Sequence, residues 1–257
     1  MKQYKNKDWL ERKYLKEKLS QTQISEICKT TRYSIRYWLS KYNIIQRSRG
    51  EGTHLIKANH CKLSQETINF INGELLGDGC LLSQSPYSAR FEYTLKHLEY
   101  IEYISSILKS FGIEQSGEMY KKYDKKYNCY SYQYQSLSYV ELLSVYKKWY
   151  PNDKKIVPKD IKLTPLTCRN WFLGDGYLGR TQKGSPYIKL YTDGFSIRYV
   201  DFLLKKLTDL GFKVIKQLHK NANFNLYIST YSTKAFLDFI GKCPVQCYQY
   251  KFATKGE

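Results

Sequence analysis

A short stretch that occurs twice constrains this chain more than any other feature. Ile71-Asn72-Gly73-Glu74-Leu75-Leu76-Gly77-Asp78-Gly79 and Cys168-Arg169-Asn170-Trp171-Phe172-Leu173-Gly174-Asp175-Gly176 are each a mostly apolar run closed by Gly-Asp-Gly. Each reads as a helix that stops at its glycines, which adopt the left-handed cap conformation at no steric cost. The aspartate then faces the negative end of the helix dipole, an unfavourable placement by up to about 1 kcal/mol. Repeated in matching contexts, it calls for something positive at both helix ends, most simply a divalent cation.

The duplication runs on past the glycines. Asp78 and Asp175 are 97 positions apart. Ser85-Pro86-Tyr87 recurs as Ser185-Pro186-Tyr187, and the run from Tyr100 to Phe111-Gly112 recurs from Tyr199 to Leu210-Gly211. Each copy reads as helix, two strands, helix, two strands, helix. The strands alternate: Phe91, Tyr93 and Leu95 share one face, Phe224, Leu226 and Ile228 another, and Tyr130, Tyr132 and Tyr134 a third. That pattern fits antiparallel sheets with one packed and one polar face. The polar positions Gln84, Arg90, Gln133 and Gln135, then Arg180, Lys189, Asn225 and Tyr227, have the composition of a base-reading surface. For any single strand a solvated face is an equally good reading; the ensemble favours nucleic acid.

Two copies imply a pseudo-twofold axis, with the repeated helices as its seam. Gly73 and Gly77 are four apart and share a helix face, which lets another backbone approach. In the second copy Gly174 is small, but Asn170 replaces the other small position. A seam of this kind sets Asp78 beside Asp175. Two such carboxylates repel unless one is protonated or a cation lies between them. Magnesium is the expected ion, with manganese as its substitute, because it takes a few hard oxygens together with water and phosphate. That chemistry is metal-assisted phosphodiester hydrolysis.

Charge points to the same partner. Among 257 residues, Lys and Arg outnumber Asp and Glu by 42 to 23, a formal excess of +19 that suits a polyanion. No long apolar run or signal segment is present, so the expectation is a soluble intracellular protein rather than one bound to membrane. The seven cysteines are scattered without a CxxC pair, and the four histidines form no ligand pattern, so reduced thiols are the better reading than zinc or disulfides.

Residues 1–45 read as a small helical module. Helices are expected over 8–19, from a Ser20 cap to about Lys29, and from a Ser34 cap to about Tyr42, with Ser25 at their close approach. This is a helix-turn-helix pattern, although Lys29 stands where such turns often carry glycine. Arg32, Tyr33, Arg36 and Tyr37 would face phosphates and bases; a helical hairpin merely packed on the body is the plainer alternative. Residues 46–62, with Arg47 and Arg49, read as a basic linker along a phosphate backbone.

At the repeated stretch the chain resembles the LAGLIDADG homing endonucleases of the monomeric, two-repeat kind. Leu76-Gly77-Asp78-Gly79 matches the end of the first motif, and Trp171-Phe172-Leu173-Gly174-Asp175-Gly176 matches the second. The resemblance covers residues 63–257 and implies an α+β fold: two αββαββα repeats, 63–160 and 161–257, whose sheets form a saddle over double-stranded DNA. It implies Asp78 and Asp175 as metal ligands, with the carbonyls of Gly77 and Gly174 as further ligands. It also implies a lysine near each centre, for which Lys155 and Lys251 occupy corresponding places, either as catalytic groups or as plain phosphate contacts. Asn72, Arg169 and Asn170 depart from the small residues usual in the motif and put the helix packing in question. The activity implied is a staggered, magnesium-dependent double-strand cut by a monomer, with the N-terminal module extending the footprint. An RNA-splicing maturase or a transcription regulator on the same scaffold is the competing class. A regulator need not keep both acids, whereas a maturase could. An inactive nucleic-acid-binding protein would leave the paired Gly-Asp-Gly unexplained.

Overall fold

The computed structural model describes residues 2–48, 51, 58–125, 128–219 and 223–253. The chain divides into two compact units, residues 1–58 and 59–257.

In the first unit, α1 (Lys7–Glu11) widens into a π-type turn over Arg12–Lys16, followed by α2 (Gln21–Ile27) and α3 (Arg32–Lys41). Leu10, Tyr14, Ile24, Ile35, Leu39 and Ile44 are buried and form its own small core. Ser20 caps α2 reciprocally: its Oγ accepts the Gln23 N–H at 3.1 Å while its N–H donates to Gln23 Oε1 at 2.8 Å. The third helix is capped three residues before the expected Ser34, because Thr31 Oγ1 accepts the Ser34 N–H at 3.2 Å and so takes the cap position itself. Between α2 and α3, Lys29 sits at φ 47°, the left-handed turn position in which glycine is common.

The second unit holds two copies of one topology. The first is α4 (Gln65–Leu76), β1 (Cys80–Ser85), β2 (Ser88–Leu95), α5 (Leu98–Ser110), β3 (Tyr120–Asp124), β4 (Cys129–Gln135) and α6 (Val140–Trp149). The second is α7 (Pro165–Asp175), β5 (Gly176–Arg180), β6 (Pro186–Tyr191), α8 (Ile197–Asp209), β7 (Val214–Leu218), β8 (Phe224–Ile228) and α9 (Thr230–Ile240). Each copy therefore reads αββαββα, and each builds a four-stranded antiparallel sheet, ordered β1-β2-β4-β3 and β5-β6-β8-β7. One shared core runs through both copies, from Phe91, Tyr93 and Tyr134 to Phe172, Ile188, Leu226 and Ile228.

The same local device opens both repeated helices. Ser64 Oγ accepts the Thr67 N–H at 3.1 Å, and Thr164 Oγ1 accepts the Thr167 N–H at 3.2 Å with Pro165 at the first helical position. The repeat register, however, is not set by Ser-Pro-Tyr. Cys80 pairs with Glu92 and Leu82 with Arg90 in the first sheet, as Tyr177 pairs with Lys189 and Gly179 with Tyr187 in the second. By these pairs Tyr187 matches Arg90. Pro86 and Tyr87 form a hairpin turn, whereas Pro186 and Tyr187 begin a strand. The tripeptide recurs in sequence without recurring in structure, because a turn and a strand start tolerate the same three residues.

Candidate active site

Helices α4 and α7 pack along each other, and their glycines allow it by lacking side chains. A Cβ on Gly77 would stand 3.2 Å from the Gly174 Cα, and one on Gly174 would stand 3.1 Å from the Gly77 Cα. The expected left-handed caps are absent: Gly77 has φ −97° and Gly176 φ −93°. Close backbone approach, not cap conformation, is what these glycines supply. Asn170 and Asn72, two of the departures from small residues, are held by hydrogen bonds, whereas Arg169 Nε and Asn170 Oδ1 are buried without a partner among the described residues. Gly73 faces Asn170, whose Nδ2 donates to the Phe70 carbonyl at 3.3 Å, and Thr167 Oγ1 donates to the Asn69 carbonyl at 3.1 Å. Asn72 Oδ1 accepts the Trp149 indole N–H at 2.9 Å.

This seam brings the two aspartates to one place. Asp78 Oδ2 lies 3.5 Å from where a Cβ on Gly174 would stand, and Asp175 N lies 3.6 Å from the corresponding point on Gly77. The helix ends are not identical, since α4 stops at Leu76 while α7 runs through Asp175. Burial raises the Asp78 carboxyl, against the pull of Lys251 and Lys155. Burial and the Asp78 charge raise Asp175 to about 7, again against Lys155 and Lys251.

The two lysines close the helix ends. Lys155 Nζ donates to the carbonyls of Gly77 at 3.4 Å and Gly79 at 3.2 Å. Lys251 Nζ donates to the carbonyls of Leu173 at 2.6 Å and Gly174 at 3.1 Å. Each ammonium thus satisfies orphan C-terminal carbonyls and meets the negative end of a dipole. The positive partner that the paired aspartates call for is therefore supplied in part by the chain itself. Burial lowers both lysines, Lys251 to about 8, while the neighbouring aspartates hold them up.

Behind Asp78 lies a group that motif and spacing did not single out. Glu74 is fully buried, its Oε1 accepting the Tyr100 hydroxyl at 3.0 Å, and burial raises it to about 8. Its Oε2 has no partner among the described residues. The signal in the sequence was a lone carboxylate inside an apolar helical run. Among the described residues, no group of three or more His, Cys, Asp or Glu side chains could hold a metal ion. Magnesium does not need one, since it keeps water and phosphate oxygens in its shell.

The expected DNA-facing residues divide. Strand register puts Arg90, Gln133 and Gln135 on the open face of the first sheet, opposite Phe91, Tyr93 and Tyr134, and Gln84, within a register shift of β1, joins them through its bond to Arg90. Lys189 and Tyr227 are direct partners on the open face of the second. Arg180 pairs with Pro186 and so alternates onto the same side as Leu178 and Ile188, away from Lys189; its Nη1 donates to the Gly184 carbonyl at 3.2 Å. Asn225 is on the open side by register but only 1% exposed, and neither atom of its amide group has a partner among the described residues. In the first unit Arg32, Tyr33, Arg36 and Tyr37 are exposed on α3. Arg47 is not a free linker cation. Its guanidinium stacks 4.0 Å from the Tyr14 ring centroid and donates to the carbonyls of Lys18 and Leu19, pinning residue 47 to the helical unit. Arg49 lies outside the described residues.

Fold and site together define an α+β protein of two αββαββα repeats forming a saddle, with acidic helix ends paired at the seam. The LAGLIDADG DNA endonuclease family profile matches residues 68–236, and the chain belongs to that family. It is 28% identical over 147 residues to the uncharacterized protein MJ1098 of Methanocaldococcus jannaschii, a match that spans 56% of each chain, so the chain covers little more than half of that relative. The homing endonuclease I-WcaI bound to its DNA recognition sequence superposes with a TM-score of 0.67 at 18% identity, covering 82% of this chain and 96% of that one, which establishes a common fold. I-DmoI in complex with DNA and Mn has a TM-score of 0.45 at 12% identity, over 68% of this chain and 99% of that one. No helix among the described residues is long and apolar enough to cross a membrane.

Proposed function

We propose that this chain is a site-specific, divalent-metal-dependent endonuclease that cuts both strands of a DNA duplex as a monomer. The observation that carries the reading is the joining of Asp78 and Asp175 across the glycine contact, beside Lys155 and Lys251. Burial raises both carboxyls, and Asp78 raises Asp175 further, so the two ionised forms are poorly solvated by the chain alone. Such a site accepts a further cation, and hard oxygens favour magnesium or manganese.

The donor set fits that ion. Asp78 and Asp175 would hold it, and the Gly77 and Gly174 carbonyls each keep a second lone pair beyond the lysine bonds. When bound, the ion activates water and neutralises the leaving oxygen. The chain's own part is positional. Lys155 and Lys251 would stabilise charge developing on a phosphate, the role a buried ammonium beside the carboxylates suits. The open sheet faces, with Arg90, Gln133, Gln135, Lys189 and Tyr227, would lie against the duplex, and Arg32, Arg36 and Tyr37 of the first unit would extend the footprint as a helix-turn-helix.

The test pairs cleavage with binding. Asp78→Asn and Asp175→Asn should each abolish cutting of a selected duplex in magnesium while duplex affinity stays near that of the unaltered chain. Unchanged cutting by either variant would remove the assignment. The same chain binding folded RNA in preference to duplex DNA would favour the maturase reading.

A further inference from the structure

On the open face of the first sheet, three side chains form one unit. Arg90 Nε donates to Glu92 Oε1 at 2.6 Å, and Arg90 Nη1 donates to Gln84 Oε1 at 3.1 Å. Glu92 is only 8% exposed, and it stands opposite Cys80, two residues beyond Asp78. The second repeat has nothing equivalent, since its matching positions are Tyr187 and Lys189.

Glu92 is out of place on a face meant for a polyanion unless something holds its charge. Arg90 does so, and in return its own orientation is fixed from two sides. A guanidinium has five N–H groups in a planar fork. With Nε turned to Glu92 and one Nη1 hydrogen turned to Gln84, three N–H groups remain, one on Nη1 and two on Nη2. Donated together from the end of the fork, an Nη1 and an Nη2 hydrogen would match two adjacent acceptors. In the major groove guanine presents O6 and N7, both acceptors, whereas adenine sets an N6 donor beside N7. A side chain already held in its binding geometry loses less rotamer freedom on docking and tolerates mismatch poorly.

We propose that Arg90, held by Glu92 and Gln84, reads one guanine in the half of the target facing the first repeat. Glu92 is the positioning residue of this contact and Arg90 the reading residue. The inference rests on the duplex-cutting function proposed above and adds one base and the residues that select it.

Selection of bound sequences from a randomised duplex library tests it, using the full chain without divalent cation so that no site is destroyed. The unaltered protein should enrich a site with a fixed guanine that Arg90→Ala alone releases, with discrimination at that position falling about tenfold. Arg90→Lys should keep much of the affinity but lose the guanine preference, because a point charge cannot make the paired contact. Glu92→Gln and Gln84→Ala should weaken preference at that same position and no other. If Glu92→Gln does not fold, the exposed Gln84→Ala carries this arm. Arg90→Ala enriching the unaltered site would overturn the inference and leave the duplex function standing. A lowered melting temperature in Glu92→Gln with all preferences intact would reduce the unit to a structural ion pair, overturning Glu92's role. An unaltered protein that enriches no sequence would overturn both the inference and the function beneath it.

Discussion

Gly77 and Gly174 meet backbone to backbone, the Cα of one 3.2 Å from the place where a side chain on the other would begin. Everything placed on the two helix ends depends on that separation. Asp78 and Asp175 are the next residues along, so an ångström gained between the helices is gained between the carboxylates as well.

Gly77→Ala and Gly174→Ala should therefore cost about 1–3 kcal/mol of stability through overpacking and lose cleavage far beyond what that destabilisation explains. Gly112→Ala is the comparison. Gly112 sits at φ 77° with open space around it, so the alanine strains the backbone without touching the seam. Denaturant unfolding and a cleavage assay on the three variants decide the matter. Equal loss of activity at equal loss of stability would mean that seam spacing has no special role.

Metal binding should depend on pH with a definite sign. Asp175 is raised from 3.8 to about 7 by burial and by Asp78, and Glu74 from 4.5 to about 8 by burial. Between the ordinary and raised values the folded chain holds protons that the unfolded chain has released, so these groups make stability fall as pH rises through that window. A cation must displace the Asp175 proton, so its affinity should climb as pH approaches about 7 and then level. The rise in melting temperature produced by magnesium should accordingly be larger at about pH 8 than at about pH 6. Equal rises at both would show that the carboxylates are not the binding groups.

Lys251→Met isolates the role of the buried ammonium. Its removal leaves the Leu173 and Gly174 carbonyls without their donor, a cost of about 1–3 kcal/mol. It also withdraws a positive charge that lowers Asp78 and Asp175. The magnesium-dependent rise in melting temperature should then move to higher pH than in the unaltered chain. A destabilised variant with an unmoved pH profile would assign Lys251 to helix capping alone.

Residues 59–257 expressed alone should still cut duplex DNA in magnesium but bind it more weakly. Every phosphate that Arg32 or Arg36 no longer neutralises should flatten the dependence of log affinity on log salt by about one unit of slope. Fluorescence anisotropy across a salt series measures it. An identical slope for the full and shortened chains would show that the first unit does not touch the phosphates.

Local pattern was enough for much of this protein. The period-2 runs in Arg90–Leu95 and Phe224–Ile228 fixed which residues face the core, and the paired Gly-Asp-Gly located Asp78 and Asp175, because strand alternation and helix ends are written in neighbouring residues. Gly77 and Gly174 were legible both as helix caps and as points of close backbone approach, and the structure keeps only the second: left-handed geometry is found at Gly112 and Gly211, while Gly77 and Gly174 are set by what stands opposite them. Ser-Pro-Tyr misled, since strand pairing matches Arg90 with Tyr187 at the 97-residue offset of Asp78 and Asp175 and not at the 100-residue offset of the two tripeptides.

What tertiary structure alone decided is partnership. Arg47 reads as a free cation in the sequence, yet Tyr14 and the carbonyls of Lys18 and Leu19 claim it, and Arg180 takes the other side of its strand. Lys155 and Lys251 reach helix ends 78 and 77 residues away, and Glu74 meets Tyr100 inside the core. A sequence states which chemical groups a chain owns and which way each points from its own strand or helix. Which group neutralises, buries or unsatisfies another depends on distances across the fold, where desolvation and charge act through space rather than along the chain.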